Sequence, residues 1–213
     1  MFKYLLKKPH NYTENPKALL MLHGFGSNEA DLFSFADQLP DDLLIISARA
    51  PISLDFGGYA WYPIYINAQN EKISDNQKAQ DVLKELSVFI DFLKDKYHIK
   101  SGDFNLLGFS QGAVLSNALA LNYPEKIKNV VSLSGYINED IMPLKDDVEK
   151  YKKLNFFVSH GLYDDVIPID WARKTPVYLT ERQISHTYKE YPMGHEVSYD
   201  CLKDFRQWLQ QNI

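Results

Sequence analysis

At 213 residues, 45% of them hydrophobic and 24% charged, the chain has the make-up of an ordinary globular protein, which excludes a disordered, fibrous or membrane-embedded class. Its length suits one α/β domain, expected to span residues 1–213, and its net charge of −5 argues against nucleic acid as the main partner. The one cysteine, Cys201, rules out an internal disulfide and reads as a packing residue, and no Cys/His cluster has zinc-binding spacing.

Met1 to Lys8 carries too short an apolar run for a signal segment and reads as an edge strand. No run of about 18 apolar residues occurs, so no membrane insertion and a cytoplasmic location are expected. After a turn-rich stretch from Pro9 to Pro16, Ala18–Leu22 has the continuous apolar character of a buried strand. It ends in His23-Gly24-Phe25-Gly26-Ser27-Asn28, and Asn28 is expected to cap a helix from Glu29 to about Gln38. Leu43–Ser47 is the next strand. A long irregular connection follows to about Asp75, containing Gly57-Gly58 and the aromatics Phe56, Tyr59, Trp61, Tyr62 and Tyr65. Connections of that length are usually functional or mobile, and this one is expected to wall a substrate pocket. Ser74-x-x-Gln77 has the form of a capping box, and Ala79, Val82, Leu83, Leu86, Phe89, Ile90, Leu93 and Tyr97 mark the buried stripe of a long helix.

Phe104-Asn105-Leu106-Leu107 then leads into Gly108-Phe109-Ser110-Gln111-Gly112, after which Ala113, Val114, Asn117, Ala118 and Leu121 fall at helical spacing. Strand, glycine-flanked serine and helix together match a nucleophile elbow, whose tight turn leaves the serine hydroxyl exposed. Further strands are expected at Asn129–Ser134, Leu154–Ser159 and Ile184–Tyr191, with a mixed charged segment from Glu139 to Lys153 and a helix from Ile169 through Glu181. A last helix buries Val197, Leu202, Phe205, Trp208 and Leu209. Apolar strands alternating with helices specify a parallel sheet covered on both faces. Ligands of such sheets bind beyond the carboxyl ends of the strands. Four unusual turns fall there, at residues 23–28, 108–112, 160–168 and 192–195.

A serine hydroxyl needs a base within hydrogen-bond reach, and that base needs an acid to fix its tautomer. In α/β hydrolases the order along the chain is Ser, acid, His. His195, in the turn after 184–191, fits the base. His160 precedes the acid and reads as structural in its turn, His186 lies inside a strand, and His23 shapes the first glycine turn. The acid is Asp164 or Asp165, which spacing does not separate. The oxyanion would be held by two backbone N–H groups, from Gln111 at the start of its helix and from Phe25 in the glycine turn.

The segments His23-Gly24-Phe25-Gly26, Ala50-Pro51 with Gly57-Gly58-x-x-Trp61, Gly108-x-Ser110-x-Gly112, His160-Gly161-x-x-Asp164-x-Val166-Ile167-Pro168 and Gly194-His195 together resemble the phospholipase/carboxylesterase family of α/β hydrolases, which includes the acyl-protein thioesterases. The resemblance implies an α/β-hydrolase fold, with a mostly parallel central sheet, helices on both faces and no large cap domain. It implies hydrolysis of carboxylic esters or thioesters without a cofactor or metal, and it favours Asp164 as the acid. The chain departs from the family at Tyr62-Pro63 after Trp61, and at Asp165, where relatives often have proline. The expected partner is a small-molecule acyl ester lying against Trp61, Tyr62 and Tyr136. Oligomeric state is left open, a homodimer included. The competing readings are a peptidase or dienelactone-type hydrolase on the same fold, and a non-catalytic ligand receptor.

Overall fold

The computed structural model describes residues 1–11, 14–68, 72–100, 102–143 and 148–213. The chain opens with β1 (Tyr4–Lys7), β2 (Lys17–Leu22), a single-turn helix α1 (Ala30–Phe33) and β3 (Leu43–Ala48). Two small hairpins follow, β4 (Ile52–Ser53) with β5 (Tyr59–Ala60) and β6 (Ile64–Ile66) with β7 (Lys72–Ser74). They stand where an irregular connection was expected; residues 69–71 of that stretch lie outside the described residues. Next come α2 (Asn76–Tyr97), β8 (Phe104–Phe109), α3 (Gln111–Asn122), β9 (Ile127–Leu133) and α4 (Val148–Tyr151). Residues 144–147 of the charged segment are likewise outside the described part. The order closes with β10 (Asn155–Gly161), α5 (Ile169–Ala172), α6 (Lys174–Glu181), β11 (Ser185–Tyr191) and α7 (Tyr199–Asn212).

Seven strands form one sheet in the order β1-β3-β2-β8-β9-β10-β11. β1 runs antiparallel to β3, and the remaining pairs are parallel. The continuous apolar run of β2 follows from its position, because both of its faces are covered. Leu20 and Leu22 pack into a core shared with α2 and α3, and Leu19 and Met21 into one shared with α1 and α7. Each such fully buried leucine contributes about 1.5–3 kcal/mol. Among the described residues no helix is long and apolar enough to cross a membrane.

Three helix expectations shift, each for a local reason. The cap of α2 is Asp75, not Ser74: its side chain accepts the Lys78 N–H at 3.0 Å. Asn28 does accept the Ala30 N–H at 2.8 Å, but α1 stops after one turn and a 3-10 turn, Ala36–Gln38, takes its place. The helix expected from Ile169 through Glu181 is broken between α5 and α6. Pro176 has no N–H for the Ala172 carbonyl and its ring crowds that turn.

Candidate active site

Strand register places the functional turns side by side. Leu22 of β2 lies opposite Gly108 of β8, so Phe25 and Gln111 each follow three residues beyond a matched pair. On the other flank Gly161 lies opposite Tyr191, and Asp164 and His195 follow within four residues of that pair.

Ser110 sits between β8 and α3 with φ 53° and ψ −117°, a conformation that L-residues seldom adopt. The flanking glycines make the turn feasible: a Cβ on Gly108 would meet the Gly112 carbonyl, and one on Gly112 would meet the Leu22 carbonyl. The Ser110 backbone is anchored by its N–H, which donates to Leu133 O at 2.9 Å.

Ser110 Oγ lies 2.9 Å from His195 Nε2, and His195 Nδ1 lies 2.8 Å from Asp164 Oδ2. A carboxylate can only accept, so Nδ1 carries the hydrogen and Nε2 presents its lone pair to the serine. The Asp164 side chain is wholly buried. Its Oδ1 accepts the N–H groups of Val166 and Ile167, both at 2.9 Å, which fixes the carboxylate. Asp165 is exposed and stands outside this chain of contacts. The Phe109 ring packs 4.9 Å from the His195 ring. Among the described residues, the backbone N–H groups of Phe25 and Gln111 donate to no protein acceptor.

The aromatic stretch is pinned to this centre. Gln111 Oε1 accepts the Trp61 N–H at 2.9 Å, and Gln111 Nε2 donates to Tyr62 O at 2.8 Å. Gly26 N–H donates to Tyr59 O, and Tyr59 N–H donates to Ser27 O. Arg49 donates through both Nε and Nη2 to Glu29, through Nη1 to Tyr59 Oη at 3.0 Å, and lies over the Tyr59 ring. His23 is buried beneath the glycine turn. Ala50 N–H donates to its Nε2, so Nδ1–H donates to Gly24 O.

A cavity of about 560 Å³ opens beside Ser110 and His195. Its walls include Tyr62 and Tyr136 together with Ile64, Val114, Ser74 and Trp171. Ser74 is a hydrogen-bond partner of both tyrosine hydroxyls, and burial pushes both phenols above their usual range. Trp61 does not belong to this wall. It is fully buried in the core, and its Nε1–H donates to His23 O at 2.8 Å. Its role as a substrate contact is therefore corrected to one of support: a Trp whose N–H finds a buried carbonyl fills the core under the turn. Trp171 and Ser74 were missed because each reads locally as something else, a first-turn helix residue and a cap. Trp171 stacks edge-on against Tyr136 at 5.2 Å, a contact between distant segments. Cys201 is buried against Ser159, and burial pushes its thiol up to about 11, as suits a packing residue.

A mostly parallel, seven-stranded α/β sheet with a serine, a histidine and a buried carboxylate in line beyond its strand ends defines the serine-hydrolase class. Within it, the phospholipase/carboxylesterase family model matches residues 10–213, and the chain belongs to that family of α/β hydrolases. It is a hydrolase of carboxylic esters. It is 28% identical over 235 residues to acyl-protein thioesterase 1 of Candida albicans, covering 98% of this chain and 97% of that one. With the Emericella nidulans acyl-protein thioesterase 1 it shares 27% over 219 residues, covering 92% and 90%. The fold matches a Bacillus cereus carboxylesterase with a TM-score of 0.86 at 22% identity, over 100% of this chain and 95% of the other.

Proposed function

We propose that Ser110 is the nucleophile, His195 the general base and Asp164 the acid of a serine esterase acting on short- to medium-chain esters. The carrying observation is the unbroken chain Ser110–His195–Asp164, with contacts of 2.9 and 2.8 Å, on the wall of an apolar cavity. Ser110 Oγ attacks the carbonyl carbon as its proton passes to His195 Nε2. The oxyanion is met by the free N–H groups of Phe25 and Gln111, each such donor contributing about 10²–10³ in rate. Collapse expels the alcohol, which takes its proton from His195. Water then attacks the acyl-enzyme with His195 again as base, returning the acid and free serine.

The cavity volume lies in the range of small-molecule sites, and its aliphatic and aromatic walls suit an acyl chain. Tyr62 and Tyr136 are the side chains from the aromatic stretch and the β9 turn that would touch it. Thioesters, the substrate class in the names of the acyl-protein thioesterase relatives, undergo the same attack with a thiol as leaving group. Hydrolysis of p-nitrophenyl esters from acetate to octanoate, with matched thioesters, tests this reading: a maximum between acetate and octanoate supports it, and no turnover of any member overturns it. We further propose that residues 1–213 act as one domain, that the protein works in the cytoplasm, and that it forms a homodimer. The exposed Ile66 on the cavity wall and the exposed Phe56, whose ring lies 6.3 Å from that of Phe25, support the last point, which sedimentation velocity tests.

A further inference from the structure

His160 is wholly buried at the end of β10, one turn before Asp164, and the mechanism above makes no use of it. Its Nε2 lies 2.9 Å from Ile167 O. A carbonyl can only accept, so Nε2 carries the hydrogen. The same atom lies 3.2 Å from Asp164 Oδ2, the oxygen that faces His195. Ile167 in turn donates its N–H to the other oxygen, Oδ1. His160, Ile167 and Asp164 thus form a closed ring around the carboxylate, and the polarised Nε2–H stands beside its working oxygen. Among the described residues His160 Nδ1 has no hydrogen-bond partner. A buried polar atom left bare is unfavourable, a penalty that apolar packing would not incur.

We propose that His160 is a positioning residue for Asp164. This rests on reading Asp164 as the acid. It holds the carboxylate toward His195, and its N–H dipole tempers the negative charge that stabilises the His195 imidazolium. Glu190 lies opposite His160 on β11, bound to Arg173, and β9 brings no charged residue at this level.

In His160→Leu, the donor is gone while the volume stays filled. The carboxylate becomes more basic, so His195 holds its proton to higher pH. kcat/KM for p-nitrophenyl butyrate is expected to fall severalfold, up to about tenfold, as for a lost hydrogen bond between neutral groups, and the acid limb of its pH profile to move to higher pH. His160→Gln, which keeps an N–H at that place, restores both. A folded His160→Leu whose acid limb coincides with the wild type overturns the proposal. The wild-type protein gives an independent reading: nitrogen-resolved NMR of the imidazoles at pH 7.5 should find the proton of His160 on Nε2, and a proton on Nδ1 overturns the proposal even if His160→Leu does not fold. Full activity in Asp164→Asn would instead sink the reading of the acid itself.

Discussion

Gln111 accepts the backbone N–H of Trp61 at 2.9 Å, so the residue following the proposed nucleophile also holds the aromatic stretch against the site. Its other side-chain atom donates to Tyr62 O. Gln111→Leu would keep the backbone N–H yet leave two buried backbone groups unpaired, at about 1–3 kcal/mol each. A melting temperature lower by at least about 4 °C is expected, at about 2–4 °C per kcal/mol for a chain of this length, with faster proteolytic cutting between residues 52 and 66. Unchanged melting and cutting would show that the stretch is held by other contacts.

Gly57 and Gly58 both have positive φ, 95° and 75°, but only Gly58 is crowded: a Cβ there would overlap the Gly26 carbonyl, whereas Gly57 faces open space. Gly57→Ala is expected to cost about 1 kcal/mol of backbone strain and to leave turnover largely intact. Gly58→Ala must push the Gly26 turn, and with it the Phe25 N–H, so esterase activity should drop by at least tenfold, consistent with a misplaced oxyanion donor. Equal effects of the two substitutions on kcat would contradict this coupling.

Trp171 stands half-exposed on the cavity wall against Tyr136. Trp171→Ala enlarges the cavity. The ratio of octanoate to butyrate hydrolysis should rise several-fold while acetate hydrolysis stays near the wild-type rate. An unchanged chain-length profile would mean that the acyl chain lies elsewhere.

Acid should weaken the fold in two stages. Burial holds His23 below the ordinary histidine value of 6.5. The unfolded chain therefore takes up a proton that the folded chain refuses, and stability falls as pH drops below about 6.5. Glu29 and Glu190 are held below the usual 4.5 by hydrogen bonds from Arg49 and Arg173. Their contribution is whole above the unfolded value and is lost as pH falls through the lower, folded one. Melting temperature should thus decline gently from pH 6.5 to 4.5 and steeply below it. His23→Gln should flatten the first part; an equal decline in that variant would remove His23 from the account.

Much of the site was legible because its parts are backbone features with sequence marks. Glycines at 108 and 112 announce the elbow, and apolar runs ending in His-Gly turns mark the ends of β2 and β10. Asp164 and Asp165 could not be separated by spacing, because neighbours in a turn differ only in direction. The fold separates them: Asp164 Oδ1 is bound by two N–H groups two and three residues on. Trp61 misled because an aromatic in a connection can face either way, and only the His23 carbonyl beneath it decides. The break between α5 and α6 could have been read from Pro176, whose missing N–H falls inside the span expected as one helix.

In the proposed reaction an ester's acyl group passes through Ser110. Rapid acid quench of the protein with p-nitrophenyl butyrate, followed by mass analysis of the peptides, measures this directly. A butyryl group is expected on the peptide bearing Ser110, formed in a burst with p-nitrophenol release, with neither acylation nor turnover in Ser110→Ala. Hydrolysis by Ser110→Ala at the wild-type rate, with no acylated peptide in either protein, would contradict it.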